Sequence, residues 1–396
     1  MLKKYHMILF FIFVAIENMA ANLAHPVTPT LIYDLQLPDY SFGVIFAGMA
    51  FTNFLFSPFW AKQVTRMGSK KVLGICCAGY GIGQLLFSLM TTLPTIMFAR
   101  VVAGFFVGGI MVSILTYIIH NADVSQRGKY LALSATLTTV FSAFGYLVGG
   151  YCGVWLSIKA TFIIQTIILI LNGLLFYVCL QDDSDPTVKI SLKKDANPFK
   201  AFIDSKNFMT TTFFILFFVV FVTSCATTAY DQNFNYYIKD QFGFDSSYNG
   251  AIKALVGFVS LIANTTICMW LMKKTDVKTS ILSVIFGVGV LLVIMTYVPS
   301  ISAFLGINIL FYALNAIYIP LVQDLCASAS SSENSNMVMG FYNAMKSLGM
   351  IVGALFAGFI YTVGPELSFL YAGIFYLISG CFMIWYRARR KKELID

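Results

Sequence analysis

Two acidic side chains of this sequence, Glu17 and Asp231, lie well inside long apolar runs. A carboxylate at the centre of a membrane helix costs about 2.5–3.5 kcal/mol on insertion scales, so such residues are rare and face a cavity or a partner. A carboxylate in a low-dielectric cavity can bind a proton and release it when a cation approaches or water enters. We therefore predict that Asp231 and Glu17 exchange protons or anchor a cation.

Static pairing is the alternative for both acids. Asp231 lies in the polar stretch Thr227–Asn233 and has Lys253 and Lys346 as candidate partners in later apolar runs. For Glu17 the candidate partners are a lysine, Asn18 and Asn22, and Asn22 is also a candidate substrate contact.

His25 follows Glu17 by eight residues, which is just over two helical turns and predicts a shared helix face. A histidine can titrate near neutral pH, so His25 is a further candidate for proton coupling. Because Pro26 frees a backbone carbonyl, a hydrogen-bonding role for this histidine stays open.

The cations inside apolar runs form a second set of candidates. Arg100 is permanently charged, and Gly104 and Gly108 on its helical face would let it approach a carboxylate or backbone carbonyls of another helix. Lys346 is predicted near mid-membrane, whereas Lys253 can extend outward along its helix. Coupling and structural roles both remain open for these three cations. Asp324 is predicted near the cytoplasmic end of its helix, as a cap or gate, with substrate contact as the alternative.

The elements that hold these residues are predicted to be membrane helices. Apolar residues make up 58% of the chain and charged residues 11%, against about a quarter charged in soluble domains. The apolar runs have the length of about 20 residues that a spanning helix needs, and they are too long for barrel strands of about 9–11 residues. We predict an all-α polytopic protein with twelve helices, at about 7–32, 42–62, 71–92, 94–118, 128–151, 154–180, 207–238, 246–272, 278–298, 301–324, 336–362 and 366–386.

The chain repeats itself at an offset of about 206 residues. Asp34-Leu35-Gln36-Leu37-Pro38-Asp39 resembles Asp240-Gln241-Phe242-Gly243-Phe244-Asp245, and each is followed by a hydroxyl residue, a glycine and a new apolar run. The same offset superposes His25 on Asp231. The halves predict bundles at 1–180 and 207–396 joined by a linker at 181–206. Two similar halves that rock about a central site are typical of a transporter.

A second repeated pattern consists of glycines. Gly145 and Gly149 are four residues apart, as are Gly349 and Gly353. Small residues at this spacing let helices approach closely. Such faces would either slide between the halves as a gate or pack statically.

Lysine and arginine predict the orientation. They concentrate at both termini, between the second and third, fourth and fifth, and eighth and ninth helices, and in the linker, whereas the alternate loops hold only Lys159 and Lys239. By the positive-inside rule, both termini and the 181–206 linker are cytoplasmic. The formal charge of +8 is thus a topology signal, and no nucleic-acid partner is needed to explain it.

Three motifs resemble those of the major facilitator superfamily, in particular its twelve-helix drug:proton antiporter branch. Between the second and third helices, Arg66, Gly68, Lys70 and Lys71 match the signature G-x-L-a-D-r-x-G-r-k-x, with Thr65 in place of its Asp. Arg100 and Gly104 match R-x-x-x-G. The run Gly145-Tyr146-Leu147-Val148-Gly149-Gly150 resembles G-P-x-x-G-G, with Tyr146 in place of Pro.

The resemblance implies the major facilitator fold, with two pseudo-symmetric six-helix bundles, and a secondary active transporter. In such transporters the first, fourth, seventh and tenth helices line the cavity, and the loop between the second and third helices helps to latch the cytoplasmic side. The family Asp takes part in that latch, and Thr65 stands at its position here.

The function predicted is proton-coupled efflux of amphipathic or cationic small molecules by alternating access. The sequence has no P-loop, metal-ligand cluster or nucleophile motif, so we expect no enzyme and no cofactor, with the proton gradient as energy source. We expect a monomer in the plasma-membrane bilayer whose partners are protons and a small-molecule substrate. An importer, or a dedicated exporter of a metabolite, siderophore or lipid, is the alternative. A non-transporting receptor or an intramembrane enzyme is a more remote one.

Overall fold

In the computed structural model, residues 2–184, 197–330 and 335–393 are described, and they form helices without a strand. The α-helices, in chain order, are α1 (Leu2–Asn22), α2 (Thr28–Asp34), α3 (Ser41–Met67), α4 (Ser69–Leu89), α5 (Leu93–Asn121), α6 (Arg127–Trp155), α7 (Ile158–Cys179), α8 (Lys200–Asp204), α9 (Thr211–Asp240), α10 (Ser246–Ala263), α11 (Met269–Lys274), α12 (Val277–Thr296), α13 (Ile301–Ala329), α14 (Ser335–Val363) and α15 (Leu367–Glu393). A π turn at Asn264–Cys268 joins α10 to α11.

Eleven helical stretches among these residues are long and apolar enough to cross a membrane, and one of them is the continuous stretch Ser246–Lys274. The stretch His6–Asn22 is apolar but shorter. With that shorter helix, the spans follow the order of the twelve predicted segments. The prediction of an all-α polytopic membrane protein is confirmed.

The first predicted helix is not continuous, which corrects the prediction for His25. The helix α1 ends at Asn22, residues 23–27 form turns, and α2 begins at Thr28. Pro26 lacks an amide hydrogen and disfavours a helical conformation at the residue before it. His25 therefore lies in a turn, and the expectation that it shares a helical face with Glu17 is wrong.

Contacts divide the chain into two compact units. Unit 1 comprises Met1–Pro38, Gly48–Pro198 and Ile238–Gly257, and unit 2 comprises Asp39–Ala47, Phe199–Tyr237 and Phe258–Asp396. The division therefore passes through α3, the end of α9 and α10, as well as near the predicted linker. Residues 185–196 of that linker lie outside the described residues, so the 1–180, 181–206 and 207–396 organisation stays a prediction.

The broken end of α1 explains a group of buried polar residues in unit 1. The last carbonyls of a helix have no partner within it, and here Gln165 Nε2 donates to the oxygens of Ala20 (2.9 Å) and Ala21 (3.0 Å). Tyr80 Oη also donates to the oxygen of Ala21, at 3.3 Å. These bonds join α4 and α7 to the end of α1 and hold it in place.

Candidate functional site

Unit 2 contains a cavity of about 210 Å³ between α9, α13 and α14, with Phe46 of α3 also at its wall. Its lining is mainly aromatic and aliphatic, and it includes one acid and one lysine. The lining residues are Phe46, Val220, Thr223, Ser224, Thr227, Thr228, Asp231, Tyr312, Asn315, Tyr318, Ile319, Val322, Tyr342, Lys346 and Met350.

A row of polar side chains on α9 forms one wall of this cavity. Thr223, Thr227 and Asp231 follow at intervals of four residues, which places them on one helix face. Each is hydrogen-bonded to a tyrosine hydroxyl. Thr223 bonds Tyr318 at 2.7 Å, Thr227 bonds Tyr376 at 2.5 Å, and Asp231 accepts from Tyr312. We name these three side chains the α9 polar row.

Hydrogen bonds to backbone oxygens of α9 determine what the threonine hydroxyls of this row donate to. Thr223 Oγ1 lies 2.7 Å from the oxygen of Val219, and Thr227 Oγ1 lies 2.8 Å from the oxygen of Thr223. A threonine hydroxyl has one hydrogen. Because that hydrogen is donated to the helix carbonyl, the oxygen of Thr223 accepts the hydrogen of Tyr318. Tyr376 Oη donates to Asn315 Oδ1 at 3.3 Å as well as contacting Thr227.

Lys346 enters the same cavity from α14. Tyr342 and Met350, four residues on either side of it, also line the cavity. Within residues 2–184, 197–330 and 335–393, Lys346 makes no hydrogen bond and has no acidic oxygen within 4 Å. The static Asp231–Lys346 pair, which the sequence left open, is therefore not formed.

In unit 1, Glu17 is buried in α1 with 5% of its surface exposed. It makes no hydrogen bond or ion pair with any residue that the structure describes. Asn18 instead donates to the oxygen of Val14, and Asn22 donates to the oxygen of Asn18 and to Ser142 Oγ, each at 2.8–2.9 Å. The structural bonds considered for Glu17 with Asn18 and Asn22 are thus absent.

Arg100 is also buried in unit 1, but its partners are neutral. Its Nη1 donates to Gln84 Oε1 at 2.8 Å, and its guanidinium carbon lies 3.8 Å from the centroid of the Phe87 ring. Gln84 Nε2 in turn donates to Tyr80 Oη at 2.9 Å. Among the described residues no carboxylate pairs with Arg100. In place of the carboxylate or backbone carbonyls that the sequence suggested, its partners include an amide and an aromatic ring.

Glycines on the helix of Arg100 bring it against α3. A Cβ at Gly104 would lie against the oxygen of Met49, and one at Gly108 would lie 2.7 Å from Asn53 Oδ1 and 2.8 Å from Ser57 Oγ. These close contacts place α5 and α3 at the separation that only a glycine face allows.

Each pair of repeated glycines packs against one segment of its own unit. Gly145 and Gly149 of α6 lie against the backbone at Met19 and Leu23, at the end of α1. In unit 2, Gly349 and Gly353 of α14 lie against the backbone at Phe221 and Cys225 of α9. This geometry supports close packing within each unit. Gly150 lies on another side of α6, where a Cβ would be 3.1 Å from the Cα of Gly250.

The remaining candidates are more dispersed. The ring of His25 stacks on that of Tyr146 with 5.7 Å between centroids, and both belong to unit 1. Asp324 is exposed on α13, and neither residue is among those that line the cavity of unit 2. The coupling and gating roles predicted for these residues stay predictions.

The motif between α3 and α4 is held by two acids that follow α7. Asp183 accepts from the backbone N–H and the hydroxyl of Ser69, both at 2.6 Å, and lies 3.5 Å from His120 Nδ1. Asp182 lies 3.5 Å from both Lys70 and Lys71. Gly68 has a φ of +86°, and a Cβ there would come within 2.8 Å of Asp182 Oδ1, so glycine is favoured on both grounds.

Hydrogen bonds from the Ser184 side chain and backbone, together with Lys70 and Lys71, lower the pKa of Asp182 to about 2. Its stabilising contribution is therefore complete above its ordinary pKa of 3.8 and is lost as the pH falls toward about 2. Arg66 is exposed and forms no ion pair among the described residues, so of the basic residues of the motif the two lysines, and not the arginine, lie beside an acid there.

We expect Asp183→Asn to lower the Tm of the purified protein. Its side chain is 5% exposed, and each hydrogen bond that it accepts as a carboxylate is worth about 1.5–3 kcal/mol. Asp182→Asn is the matched control, because its side chain is 39% exposed and an exposed ion pair is worth about 0–1 kcal/mol. Thermal unfolding in detergent measures both. Equal shifts in Tm would contradict the assigned role of Asp183.

Sequence reasoning missed several of these residues. Tyr376 of α15 was not a candidate, and Asp182 and Asp183 were assigned only to a solvated linker. The spacing Thr223, Thr227 and Asp231 was a visible signal for a polar helix face, but Tyr376, which meets Thr227, has no comparable signal in the sequence.

Comparisons with known proteins agree with the fold. The family model described as Major Facilitator Superfamily matches residues 9–313 and 216–395. Multidrug resistance protein 2 of Bacillus subtilis (strain 168) is 24% identical over 94% of this chain and 93% of its own length. Quinolone resistance protein NorA of Staphylococcus aureus (strain MRSA252) is 20% identical over 94% of each chain.

Solved structures show the same architecture. An inward-facing, unoccupied bacterial homolog of the human lysosomal transporter Spinster matches with a TM-score of 0.75 at 13% identity, over 97% of each chain. A D-xylose-proton symporter matches with a TM-score of 0.72 at 14% identity, over 96% of this chain and 97% of that one. These proteins are transporters rather than enzymes, and transporters of this type use ion gradients without a cofactor. The family-model match over almost the whole length shows that this chain belongs to the Major Facilitator Superfamily and is a multi-pass membrane transporter for a small molecule.

Proposed function

We propose that this protein exports amphipathic small molecules, including cationic ones, in exchange for protons by alternating access. The observation that carries the proposal is the acid Asp231 in the wall of an aromatic cavity. An aromatic and aliphatic wall binds the apolar body of a ligand, and a few polar groups orient it. The names of the multidrug and quinolone resistance relatives support drug efflux as the direction and cargo.

Asp231 provides the exchange step. When the carboxylate is ionised, it attracts a cationic substrate, and when it is protonated, that attraction is lost. A proton and a cation therefore compete for one group. If the two species bind from opposite sides of the membrane, the proton gradient drives the cation out. Glu17, buried and without a partner among the described residues, is a second candidate for a proton site.

The membrane location, orientation and oligomeric state of the protein belong to the same proposal. We infer that it works as a monomer in the plasma membrane with both termini and the 181–206 segment in the cytoplasm. The lysines and arginines between helices support this orientation by the positive-inside rule. Of the supporting residues, Lys189, Lys193 and Lys194 lie outside the part of the chain that the structure describes.

The test is transport by purified protein in proteoliposomes with an acidic lumen. We expect the cationic dye rhodamine B ethyl ester to accumulate in the lumen against its gradient, and a protonophore to abolish the accumulation. Protein-free liposomes control for passive dye movement. Equal accumulation with a sodium gradient and no pH gradient would contradict proton coupling, and so would accumulation that survives the protonophore.

A further inference from the structure

The cavity of unit 2 contains a second charged group that the proposed exchange does not use. Lys346 lines the cavity together with Asp231. Asp231 already accepts a hydrogen bond from Tyr312. By contrast, Lys346 has no hydrogen bond or acidic partner among the residues that the structure describes. Burying an ammonium group in a largely apolar wall costs free energy unless a counter-ion or a hydrogen-bond acceptor contacts it.

Lys346 cannot relieve this cost by extending to the membrane surface. It lies 11 residues from the first and 17 residues from the last residue of α14, Ser335–Val363. At about 1.5 Å per residue these separations are about 16 Å and about 26 Å along the helix, longer than a lysine side chain. The ammonium group therefore stays at the depth of the cavity, where a ligand can reach it.

Lys346 and its neighbours indicate which chemical groups such a ligand would carry. Tyr342 and Met350 flank it on the same helix face, and Tyr318 and Ile319 of α13 also line the cavity. These side chains offer apolar and aromatic surface, and a lysine offers three hydrogen-bond donors with a positive charge. A carboxylate is the complement of that group, because it accepts charge-assisted hydrogen bonds through both oxygens.

We propose that Lys346 binds a carboxylate of the substrate, so that the preferred substrates are aromatic amphiphiles that carry a carboxylate. The inference rests on the proposed function, since it assumes that this cavity is the substrate site. It separates the preferred cargo from simple lipophilic cations, which have no group for Lys346 and are repelled by its charge. An amine elsewhere on the same substrate remains available to Asp231.

The experiment uses a dye pair that differs at one group. Rhodamine B has a free carboxylate, and its ethyl ester has the same xanthene body without that charge. Binding of each dye to the purified full-length protein in lipid nanodiscs is measured by fluorescence polarisation. Both faces of a nanodisc are in the same solution, so no pH gradient is present. We expect the wild type to bind rhodamine B more tightly than the ester.

Lys346→Met is expected to weaken the binding of rhodamine B about tenfold, corresponding to about 1.4 kcal/mol, and to leave the ester unchanged or bound more tightly. Lys346→Arg should retain most of the rhodamine B affinity, because the charge and donors remain. Lys273→Gln removes a lysine at the end of α11, Met269–Lys274, outside the cavity lining, and should change neither dye.

Equal losses for the acid and the ester in Lys346→Met would overturn the inference, and so would a rhodamine B affinity that does not change. Loss of rhodamine B binding in a well-folded Lys346→Arg variant would also overturn it. Because binding is measured without a gradient, its outcome is separate from that of the proposed function. A protein that binds rhodamine B through Lys346 but moves no dye in a pH gradient would refute the exchange and keep the carboxylate site.

Discussion

Replacing Asp231 with asparagine is expected to abolish gradient-driven transport while substrate binding persists. Asparagine keeps the shape of the side chain and an acceptor for the Tyr312 hydroxyl, but it cannot take up or release a proton. We expect accumulation in acid-lumen proteoliposomes to fall at least about tenfold, a change that corresponds to about 1.4 kcal/mol or more. Exchange of labelled for unlabelled dye without a gradient should continue.

Asp240→Asn is the control for this change, because Asp240 is the last residue of α9 and does not line the cavity. The two variants are compared at matched protein levels, with dye accumulation and dye exchange measured on the same vesicles. Full accumulation by Asp231→Asn would assign coupling to another group, such as Glu17. Loss of exchange together with accumulation would show that Asp231 serves binding rather than coupling.

The second large effect is expected at the glycines that meet α1 and α9. A Cβ at Gly149 would lie against the backbone oxygen of Leu23 and 3.0 Å from its Cα, and one at Gly353 would lie 2.8 Å from the Cα of Cys225. Backbone atoms cannot rotate away, so the helices must separate. We expect Gly149→Ala and Gly353→Ala each to destabilise the protein by about 1–3 kcal/mol, as overpacking does.

Two other helical glycines serve as controls, because alanine at these positions should leave the stability of the protein unchanged or raise it. A Cβ at Gly340 or Gly306 would meet nothing within 4 Å. Alanine is favoured over glycine in a helix by about 1 kcal/mol, so Gly340→Ala and Gly306→Ala should keep or raise the Tm. The four Tm values are measured in one detergent. A rise in Tm for Gly149→Ala would contradict the close contact with α1.

The sequence allowed the helices and the polar patch of α9 to be predicted because both depend on local information. Apolar runs reveal spanning helices directly, and Asp231 stands out within such a run. The end of α1 was harder to foresee. Pro26 was visible, but whether a proline bends a membrane helix or ends it depends on neighbours that satisfy the freed carbonyls. Here Gln165, more than a hundred residues away in the chain, supplies that partner.

The pairings of the charged residues depend on contacts between distant segments, and the sequence therefore left them open. Arg100 was expected to contact a carboxylate or backbone carbonyls, yet its neighbours on α4 are the amide of Gln84 and the ring of Phe87. Asp183 resembled part of a solvated loop, but the turn at Gly68 brings the N–H of Ser69 to it. In neither case are the two partners separated in the sequence by a number of residues that would reveal the contact.

The donor directions in the α9 polar row determine how a proton reaches Asp231. Proton hopping along hydroxyl groups requires each group to pass its hydrogen to the next in one direction. Here Tyr318 donates to Thr223, whose own hydrogen is engaged by the oxygen of Val219, and the hydrogen of Thr227 is engaged by the oxygen of Thr223. The hydrogens of both threonines thus end on backbone oxygens, and the α9 polar row does not form a continuous path for proton transfer. In the proposed exchange, a proton that binds Asp231 would therefore arrive through water in the cavity, and hydration of the cavity would set the rate of its exchange.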